Sequence, residues 1–363
     1  MFSPHTSGED VLFDQVGDKF VLTLNRPKAL NALDLSMIKK INPLLKKWHE
    51  EKNVKMIIIK GSGEKAFCAG GDIRAVSGAK SVQNNIQQDF FKEEYKLNYG
   101  IGTSKIPWVA LIDGITMGGG VGVSVHGHFR VATERTLFAM PETAIGLIPD
   151  VGGGYFLPRL PNHIGTFLAL TGFRLKGRNV FTAGIATHFV EHAKIKDLER
   201  DLLNVKDANL LNTKEVLNYY HDRCSIEKDK PYILAEHLGL IKHAFSDYDI
   251  SGIVQKLKND SSDWCNTQLQ TLNKMSPTSL KVTCEQLRHG STKDLRDVLV
   301  MEYRIVQRIM QGSDFYEGVR SVIIDKDMKP VWNPKTLDEV SDEFVQSHFE
   351  PFKDGDDIHL EPF

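Results

Sequence analysis

The chain has 363 residues, of which 41% are hydrophobic and 25% are charged, as in ordinary folded globular proteins. Its 45 basic and 47 acidic residues leave a formal charge of -2 at pH 7, which gives no overall attraction to nucleic acid or to an anionic membrane surface. The longest apolar runs have only a handful of residues, far fewer than the roughly 20 that cross a bilayer. We therefore expect neither nucleic acid nor a membrane as a partner.

Over the first two hundred residues, β-rich runs alternate with helical patterns. In residues 36–51, apolar side chains recur with the period of an amphipathic helix. The run VKMIIIK at 54–60 is almost continuously apolar, as expected for a strand that is buried on both faces of a sheet. This alternation predicts an α/β fold. The predicted strands lie at 20–24, 54–60, 108–113, 129–133 and 136–140.

From about residue 200 onward, the sequence is charged and has a helical pattern. Ser276 followed by Pro277 is typical of a helix start, with the serine as the cap and the proline in the first turn. Another apolar stripe follows at 295–309. We predict an α/β core at residues 1–200 and a mainly helical region at 201–363 that packs on it.

Three local motifs suggest other chemistries, and their surroundings argue against each. GSGEKA at 61–66 has the form of a dinucleotide-binding loop, but no helical pattern follows it. HFVEH at 188–192 has the spacing of a zinc motif that requires a helix, whereas its flanks favour a short strand. Cys68 has no neighbouring base and is interpreted as a small buried residue. The four cysteines show no CxxC spacing, so we predict no metal site.

Two glycine clusters and two carboxylates are the strongest candidates for a functional site. AGGD at 69–72 and MGGGVG at 117–122 allow backbone N–H groups to approach a ligand oxygen closely, and two such donors form an oxyanion hole. The segment FAMPETAIGLIPDVGGG at 138–154 places Glu142 and Asp150 among apolar residues. Partial desolvation makes a carboxylate a stronger base and a better nucleophile. The occurrence of both features in one chain favours a functional site over two plain turns.

Four motifs together resemble the crotonase superfamily, whose members act on acyl-CoA thioesters. The resemblance implies a crotonase-like spiral of ββα units with a helical C-terminal region. It also implies that the N–H groups of Gly71 and Gly119 hold the thioester oxygen, and that Arg26 and Lys28 lie in a loop near CoA. Members commonly form trimers or hexamers, so a homo-oligomer is an open expectation. The motifs are NRPKALNAL at 25–33, FCAGGDI at 67–73, DGITMGGGVG at 113–122 and MPETAIGLIPDVGGG at 140–154.

One departure distinguishes the chain from the hydratases of this superfamily. Those enzymes use two glutamates, and this sequence keeps one as Glu142 but has Gly122 at the position of the other. It has Asp150 where the hydratases usually have a small residue. These features resemble the branch of the superfamily that hydrolyses 3-hydroxyisobutyryl-CoA to 3-hydroxyisobutyrate and CoA in valine breakdown. Further segments extend this resemblance nearly to the C-terminus: FKEEY at 91–95, FLPRL at 156–160, LTGFRLKGR at 170–178, NKMSPTSLK at 273–281 and DFYEGVRSVIIDKD at 314–327.

The resemblance to that branch implies roles for three carboxylates. Glu142 either activates water or attacks the carbonyl carbon to form an anhydride that water then opens, and the sequence does not choose between them. Asp150 orients water or the substrate hydroxyl, or protonates the departing thiol. Glu94 contacts the substrate near its 3-hydroxyl group. CoA is part of the substrate, so no separate cofactor is expected. The mitochondrial matrix is the expected compartment from the resemblance alone, since the first residues show no transit peptide.

Two other functions remain open at this point. A hydratase or isomerase on the same fold is opposed by Gly122, and incubation with crotonyl-CoA would reveal it. A non-enzymatic RNA-binding homologue gains no support from the balanced charge, and salt-dependent retention on nucleic acid would reveal it.

Overall fold

A computed structural model describes residues 9–78, 86–353 and 356–362 of the protein. Within these ranges, two β-sheets and the surrounding helices share a hydrophobic core that includes residues from both ends of the chain, such as Val11 and Leu360. No helix in the same ranges is long and apolar enough to span a membrane.

Among the described residues, ten strands form two sheets, and the chain alternates between them. The strands are β1 (Val11–Val16), β2 (Lys19–Leu24), β3 (Met56–Gly61), β4 (Ala66–Cys68), β5 (Trp108–Ile112), β6 (Ile115–Met117), β7 (Phe129–Ala132), β8 (Leu137–Ala139), β9 (Leu175–Lys176) and β10 (His188–Phe189). The larger sheet has the order β1-β2-β3-β5-β7-β10, and the smaller has the order β4-β6-β8-β9. Neighbours are parallel except β1 with β2 and β8 with β9.

The order of the strands produces the spiral that the resemblance implied. Each of the pairs β3 with β4, β5 with β6 and β7 with β8 adds one strand to each sheet before the chain turns back. Parallel neighbours require a long connection, and the chain supplies helices between successive pairs. The predicted α/β fold with a crotonase-like spiral is therefore confirmed.

The larger sheet is buried on both of its faces, as the run at 54–60 predicted. Ile57 and Ile59 belong to the main core cluster. Met56 and Ile58 belong to a second cluster on the opposite face, together with Leu217 from a later helix. Because neighbouring side chains of a strand point to opposite faces, an uninterrupted apolar run is what such a position requires.

Helices cover the sheets and make up most of the C-terminal half. The predicted helix at 36–51 is present, and Asp34 caps it by accepting a hydrogen bond from the Met37 N–H. Ser276 caps a later helix that has Pro277 in its first turn, as predicted. The helices are α1 (Leu35–Glu51), α2 (Ile73–Gly78), α3 (Ile86–Gly102), α4 (Gly119–Val125), α5 (Gly153–Phe156), α6 (Ile164–Thr171), α7 (Arg178–Thr182), α8 (Ile195–Leu203), α9 (Leu210–Arg223), α10 (Leu238–Ala244), α11 (Ile250–Asp260), α12 (Asp263–Leu272), α13 (Pro277–Gly290), α14 (Leu295–Ile309), α15 (Asp314–Val319) and α16 (Asp342–Ser347).

The C-terminal helices are in direct contact with elements of the first half. α13 packs against α5 and α6, and α14 packs against α3 and α5. The predicted boundary between the two parts, at residue 200, lies inside α8. The two predicted parts thus adjoin along an extensive apolar contact, since residues of both belong to the main core cluster.

Asn31 organises the loop before α1 and is completely buried. Its Nδ2 donates to the carbonyl oxygens of Ser62 at 2.9 Å and Ala66 at 2.8 Å. Its Oδ1 accepts the backbone N–H of Arg26 at 3.0 Å. The residue has a φ of 56°, in the left-handed region that asparagine tolerates better than most side chains.

The loop that Asn31 organises is bonded to the AGGD segment. The N–H of Leu33 donates to the carbonyl oxygen of Gly70 at 2.8 Å, and the N–H of Asp72 donates to the carbonyl oxygen of Leu33 at 2.7 Å. These two bonds flank Gly71 and hold its backbone in place.

Replacement of Asn31 should therefore destabilise the protein substantially. Asn31→Ala leaves buried carbonyl and N–H groups without a partner and puts alanine in the left-handed region, so we expect a loss of about 2–4 kcal/mol in the free energy of unfolding. Denaturant unfolding measures it. The control is Asn25→Ala, which removes one exposed hydrogen bond to the carbonyl of Glu9 and should cost less than about 1 kcal/mol. Equal losses in the two variants would contradict this role of Asn31.

Candidate active site

Glu142 is the first residue of a short 3-10 turn, Glu142–Ile145, that Pro141 precedes. Gly146 ends the turn with a φ of 69°, a left-handed conformation that suits glycine. The Glu142 side chain is 5% exposed. Among the described residues, its Oε2 has no hydrogen-bond partner. The turn therefore presents a buried carboxylate with one oxygen available to a ligand.

Asp150 lies in the loop between this turn and α5, and it is also 5% exposed. The hydroxyl of Tyr95 donates a hydrogen bond to Oδ2 of Asp150 at 2.7 Å. Tyr95 lies on α3 and is fully buried, so its ring cannot move aside without disrupting the core. The hydrogen bond fixes the direction in which the Asp150 carboxylate points.

Glu94 precedes Tyr95 on α3 and is 2% exposed. Its Oε1 touches Gly119, since a Cβ placed on that glycine would collide with it, and it has no hydrogen-bond partner among the described residues. A Cβ placed on Gly118 would lie 3.0 Å from Oε1 of Glu142. The glycines at the start of α4 therefore lie between two buried carboxylates, and only residues without a side chain fit there.

The backbone N–H groups of Gly71 and Gly119 lie next to each other. A Cβ placed on Gly119 would lie 3.2 Å from the amide nitrogen of Gly71. In the part of the chain that the structure describes, neither N–H donates to a protein acceptor. Two adjacent unpaired donors beside buried carboxylates can stabilise negative charge on a ligand oxygen. The structure thus brings together all five residues that the sequence predicted for the site, the other three being Glu94, Glu142 and Asp150.

Burial raises the pKa values of all three carboxylates. For Glu142 and Glu94, burial moves the pKa well above the usual range, and the charge of Asp150 raises it further. Burial also raises the pKa of Asp150 to about 7, although the Tyr95 hydrogen bond opposes the shift. No basic side chain in the described ranges offsets these shifts. An ionised carboxylate in this site is therefore a stronger base than one in water.

The position of Gly122, where the hydratases have a catalytic glutamate, has no room for a side chain. A Cβ there would lie 2.7 Å from Cβ of Val151 and 2.8 Å from Nδ2 of Asn98. Such a separation is shorter than normal van der Waals contact, so a glutamate would require the loop of Asp150 to move. The absence of the second glutamate is therefore built into the backbone around it.

Sequence reasoning missed Glu302, a fully buried carboxylate on α14. It accepts hydrogen bonds from the N–H groups of Gly152 at 2.7 Å and Gly154 at 2.8 Å, and from Nε2 of Gln286 at 2.8 Å. Burial raises its pKa to about 8, and these N–H donors oppose the shift. The sequence contained a signal for this residue. Glu302 is a charged residue on the apolar, buried face of α14, between Val298 and the apolar residues of the last turns of the helix.

The residues of the rejected motifs have other surroundings. His188 lies on the predicted short strand, β10, and its Nε2 is 3.1 Å from Oδ1 of Asn218. His192 instead contacts Asp113, with Nδ1 at 2.8 Å from Oδ2. Cys68 is fully buried as predicted, and burial raises the pKa of its thiol to about 12. These side chains therefore have separate structural contacts.

Arg26, which the resemblance placed near CoA, is held by acidic neighbours. It lies 2.9 Å from Oδ2 of Asp72 and 3.2 Å from Oδ2 of Asp34. Lys28 is exposed. Since Asp72 follows Gly71, the Arg26 contacts brace the backbone of the predicted oxyanion hole.

The sequence model of the enoyl-CoA hydratase/isomerase family matches residues 19–349. Among curated relatives, the protein named "3-hydroxyisobutyryl-CoA hydrolase, mitochondrial" from Gallus gallus is 58% identical over 353 residues, which are 97% of this chain and 92% of the relative. The protein of the same name from Homo sapiens is 56% identical over 355 residues, which are 98% of this chain and 92% of the relative. The match therefore includes the helical C-terminal half.

Solved structures with the same architecture also cover both halves of the chain. The crystal structure of a carnitinyl-CoA dehydratase from Mycobacterium thermoresistibile has a TM-score of 0.88 at 33% identity and covers 98% of this chain and 99% of its own. An enoyl-CoA hydratase from Rhodobacter sphaeroides has a TM-score of 0.85 at 33% identity and covers 97% of this chain and 100% of its own.

The raised pKa of Asp150 predicts that this residue destabilises the fold at high pH. The pKa is about 7 in the folded protein, against an ordinary value of 3.8, so the folded state binds the proton more tightly and stability falls as the pH rises between those values. Asp150→Asn keeps an acceptor for the Tyr95 hydroxyl, but its side chain does not ionise, so it does not contribute this fall in stability. Its melting temperature should exceed that of the wild type by more at pH 8 than at pH 5.

Asp201→Asn is the matched control for that measurement. Asp201 is also bonded to a tyrosine, with the Tyr220 hydroxyl at 2.6 Å, but it is on the surface and that hydrogen bond lowers its pKa. Because its folded-state pKa lies below 3.8, Asp201 is ionised in both the folded and the unfolded state from pH 5 to pH 8, so Asp201→Asn should change stability by the same amount at the two pH values. A difference from wild type that is independent of pH in Asp150→Asn would contradict the raised pKa.

Proposed function

The chain belongs to the enoyl-CoA hydratase/isomerase family, and we propose that within this family it hydrolyses 3-hydroxyisobutyryl-CoA to 3-hydroxyisobutyrate and CoA. The relatives with this name are 54–58% identical to the chain over nearly its whole length. The observation that carries the proposal is the pairing of Asp150 with Glu142, together with the filled space at Gly122. That combination supplies carboxylates for hydrolysis and excludes the second glutamate of hydration.

In the proposed reaction, the thioester oxygen lies against the N–H groups of Gly71 and Gly119. Attack on the carbonyl carbon moves negative charge onto this oxygen, and donors that are already in place stabilise it without reorganisation. Each such donor contributes a factor of about 10²–10³ to the rate in other acyl-transfer enzymes.

Glu142 supplies the attack in one of two ways. Its carboxylate oxygen bonds to the carbonyl carbon, the carbon–sulfur bond breaks, and water then opens the resulting anhydride. Alternatively, the carboxylate removes a proton from the water that attacks the same carbon. Both routes need the ionised form, and the free Oε2 is consistent with either.

Asp150 assists the departure of CoA. With a pKa of about 7, it is partly protonated near neutral pH and can give a proton to the leaving thiolate. After that step it is ionised and can orient the water that completes hydrolysis. The hydrogen bond from Tyr95 occupies Oδ2, which leaves Oδ1 for the proton transfer.

Glu94 selects for the 3-hydroxyl group of the substrate. Its buried Oε1 has no partner among the described residues and lies against Gly119. A hydroxyl group on the acyl chain would satisfy this oxygen, whereas an acyl chain without it would leave a buried polar atom unpaired. Such sites discriminate by large factors.

The cellular setting follows from the same assignment. The protein acts in mitochondria, in the breakdown of valine, as the curated relatives are named mitochondrial. CoA arrives as part of the substrate, and hydrolysis of a thioester needs only water as a co-reactant, so no further cofactor is required.

Release of free thiol from 3-hydroxyisobutyryl-CoA tests the function directly. We expect rapid release by the wild type and a loss of at least about 100-fold in Glu142→Gln, because an amide is neither a base nor a competent nucleophile. Asp150→Asn should show a smaller or comparable loss. The control is Glu199→Gln on α8, a carboxylate paired with Lys60 away from the site, which should retain activity.

Crotonyl-CoA is the comparison substrate in that assay. No hydration of it is expected, since Gly122 has no room for the second glutamate. Hydration without thiol release would replace the proposal by the hydratase function, and full activity in Glu142→Gln would remove Glu142 from the chemistry.

A single turnover in H₂¹⁸O separates the two routes for Glu142. With enzyme in excess, direct attack followed by opening of the anhydride at the Glu142 carbonyl puts ¹⁸O into that side chain. We expect this label, because the buried Oε2 has no partner among the described residues and is therefore available for direct attack. Mass spectrometry of the peptide that contains residue 142 measures it. Label in the product alone would contradict opening of the anhydride at the Glu142 carbonyl.

A further inference from the structure

The loop that carries Asp150 is attached to the C-terminal helices by a buried carboxylate that takes no part in the proposed chemistry. Glu302 accepts hydrogen bonds from the N–H groups of Gly152 and Gly154, the first and last residues of the glycine run, with one oxygen for each. Gln286 joins the same arrangement, since its Nε2 donates both to Glu302 and to the carbonyl oxygen of Pro149, at 2.8 Å each. The loop is thus bonded to α13 and α14 before and after Asp150.

Val151, between these attachment points, has an unfavourable backbone conformation. Its φ is 50°, in the left-handed region that β-branched residues rarely adopt because Cβ crowds the backbone. Strained conformations of this kind persist only where surrounding contacts hold them, and they cluster at functional sites. The carbonyl oxygen of Val151 accepts a hydrogen bond from Nε2 of His126 at 2.7 Å, and the N–H of Gly153 donates to the carbonyl oxygen of Asp150 at 2.8 Å. The N–H groups of Gly152 and Gly154 donate to Glu302.

We propose that Glu302 is a positioning residue of the hydrolase, which holds Val151 in its left-handed conformation and thereby keeps Asp150 next to Glu142. The inference rests on the proposed function. Asp150 is the residue immediately before Val151, so relaxation of Val151 to an extended backbone rotates the carboxylate away from the site. The Tyr95 hydrogen bond does not prevent this, because it holds one side-chain oxygen and not the backbone. The hydrogen bond from the Gly153 N–H to the Asp150 carbonyl spans Val151, so it depends on the same left-handed conformation and is lost when that conformation relaxes.

A carboxylate is the side chain that this position requires. The two loop N–H groups and the Gln286 amide are all donors, and a carboxylate accepts from all of them. An apolar residue of similar volume fills the space but leaves two buried N–H groups unpaired. A glutamine has a single acceptor oxygen, so its NH₂ group faces at least one of these donors.

The test compares kcat and KM for 3-hydroxyisobutyryl-CoA in Glu302→Gln, Val151→Gly and the double variant. Glu302→Gln should lower kcat by at least about tenfold with KM changed by less than about threefold, because a small displacement of a catalytic group affects the reaction more than binding. Glycine adopts the left-handed conformation without strain, so the loop of the double variant no longer depends on Glu302. The double variant should therefore be several-fold more active than Glu302→Gln.

Glu285→Gln is the matched control, since Glu285 lies next to Gln286 on α13 but is paired with Arg288 outside the loop. This variant should have wild-type kcat and KM. Wild-type kcat in Glu302→Gln overturns the inference, and so does a loss that appears only in KM. The inference is also overturned if the fold-change in kcat of the double variant equals the product of the fold-changes of the two single variants. Such additivity of free energies is expected of independent sites. If Glu302→Gln does not fold, Gln286→Met decides by the same criteria.

The crystal structure of the Glu302→Gln protein tests the inference without reference to activity. We expect Val151 to leave the left-handed region and Asp150 to lose its contact with Tyr95. An unchanged loop overturns the inference. If the wild type releases no thiol, the proposed function has failed, and this structure still reports on whether Glu302 holds the loop.

Discussion

Burial of several carboxylates without a basic partner is the constraint on which the rest of this structure depends. Removing a charged group from water costs free energy unless hydrogen bonds or opposite charges compensate for the lost hydration. One oxygen of Glu94 and one of Glu142 have no partner among the described residues, so part of that cost persists in the folded protein. The same desolvation makes an ionised carboxylate more reactive, which connects the instability of the site to its chemistry.

The fold meets this constraint by building the site on packed elements that are far apart in the chain. α3 supplies Glu94 and Tyr95, the start of α4 supplies the Gly119 amide, and α14 supplies Glu302. The ββα spiral brings α3 and the start of α4 together at one end of the smaller sheet. Helices α13 and α14 then pack over the loop of Asp150. The helical C-terminal half is therefore part of the site, because it satisfies the backbone of that loop.

The loop of Asp150 also explains why hydrolysis and hydration exclude each other here. Val151 follows Asp150, and its Cβ occupies the space that a side chain at position 122 would need. The backbone that presents the new carboxylate therefore removes the room for the second glutamate of a hydratase. A change of function in this direction requires the loop to change with the residue, and not a single substitution.

The sequence by itself determined the local elements, since the apolar run at 54–60, the period of α1 and the cap at Ser276 are properties of neighbouring residues. Its glycine and carboxylate motifs, with the family resemblance that they carry, also predicted the five residues that the structure brings together. Only the tertiary structure decided that Tyr95 contacts Asp150, 55 positions away in the chain. The same holds for the contact of Glu302 with the loop of Asp150, about 150 positions away. Periodicity and capping act over a few residues, whereas these contacts depend on how distant helices pack, and no local pattern specifies that.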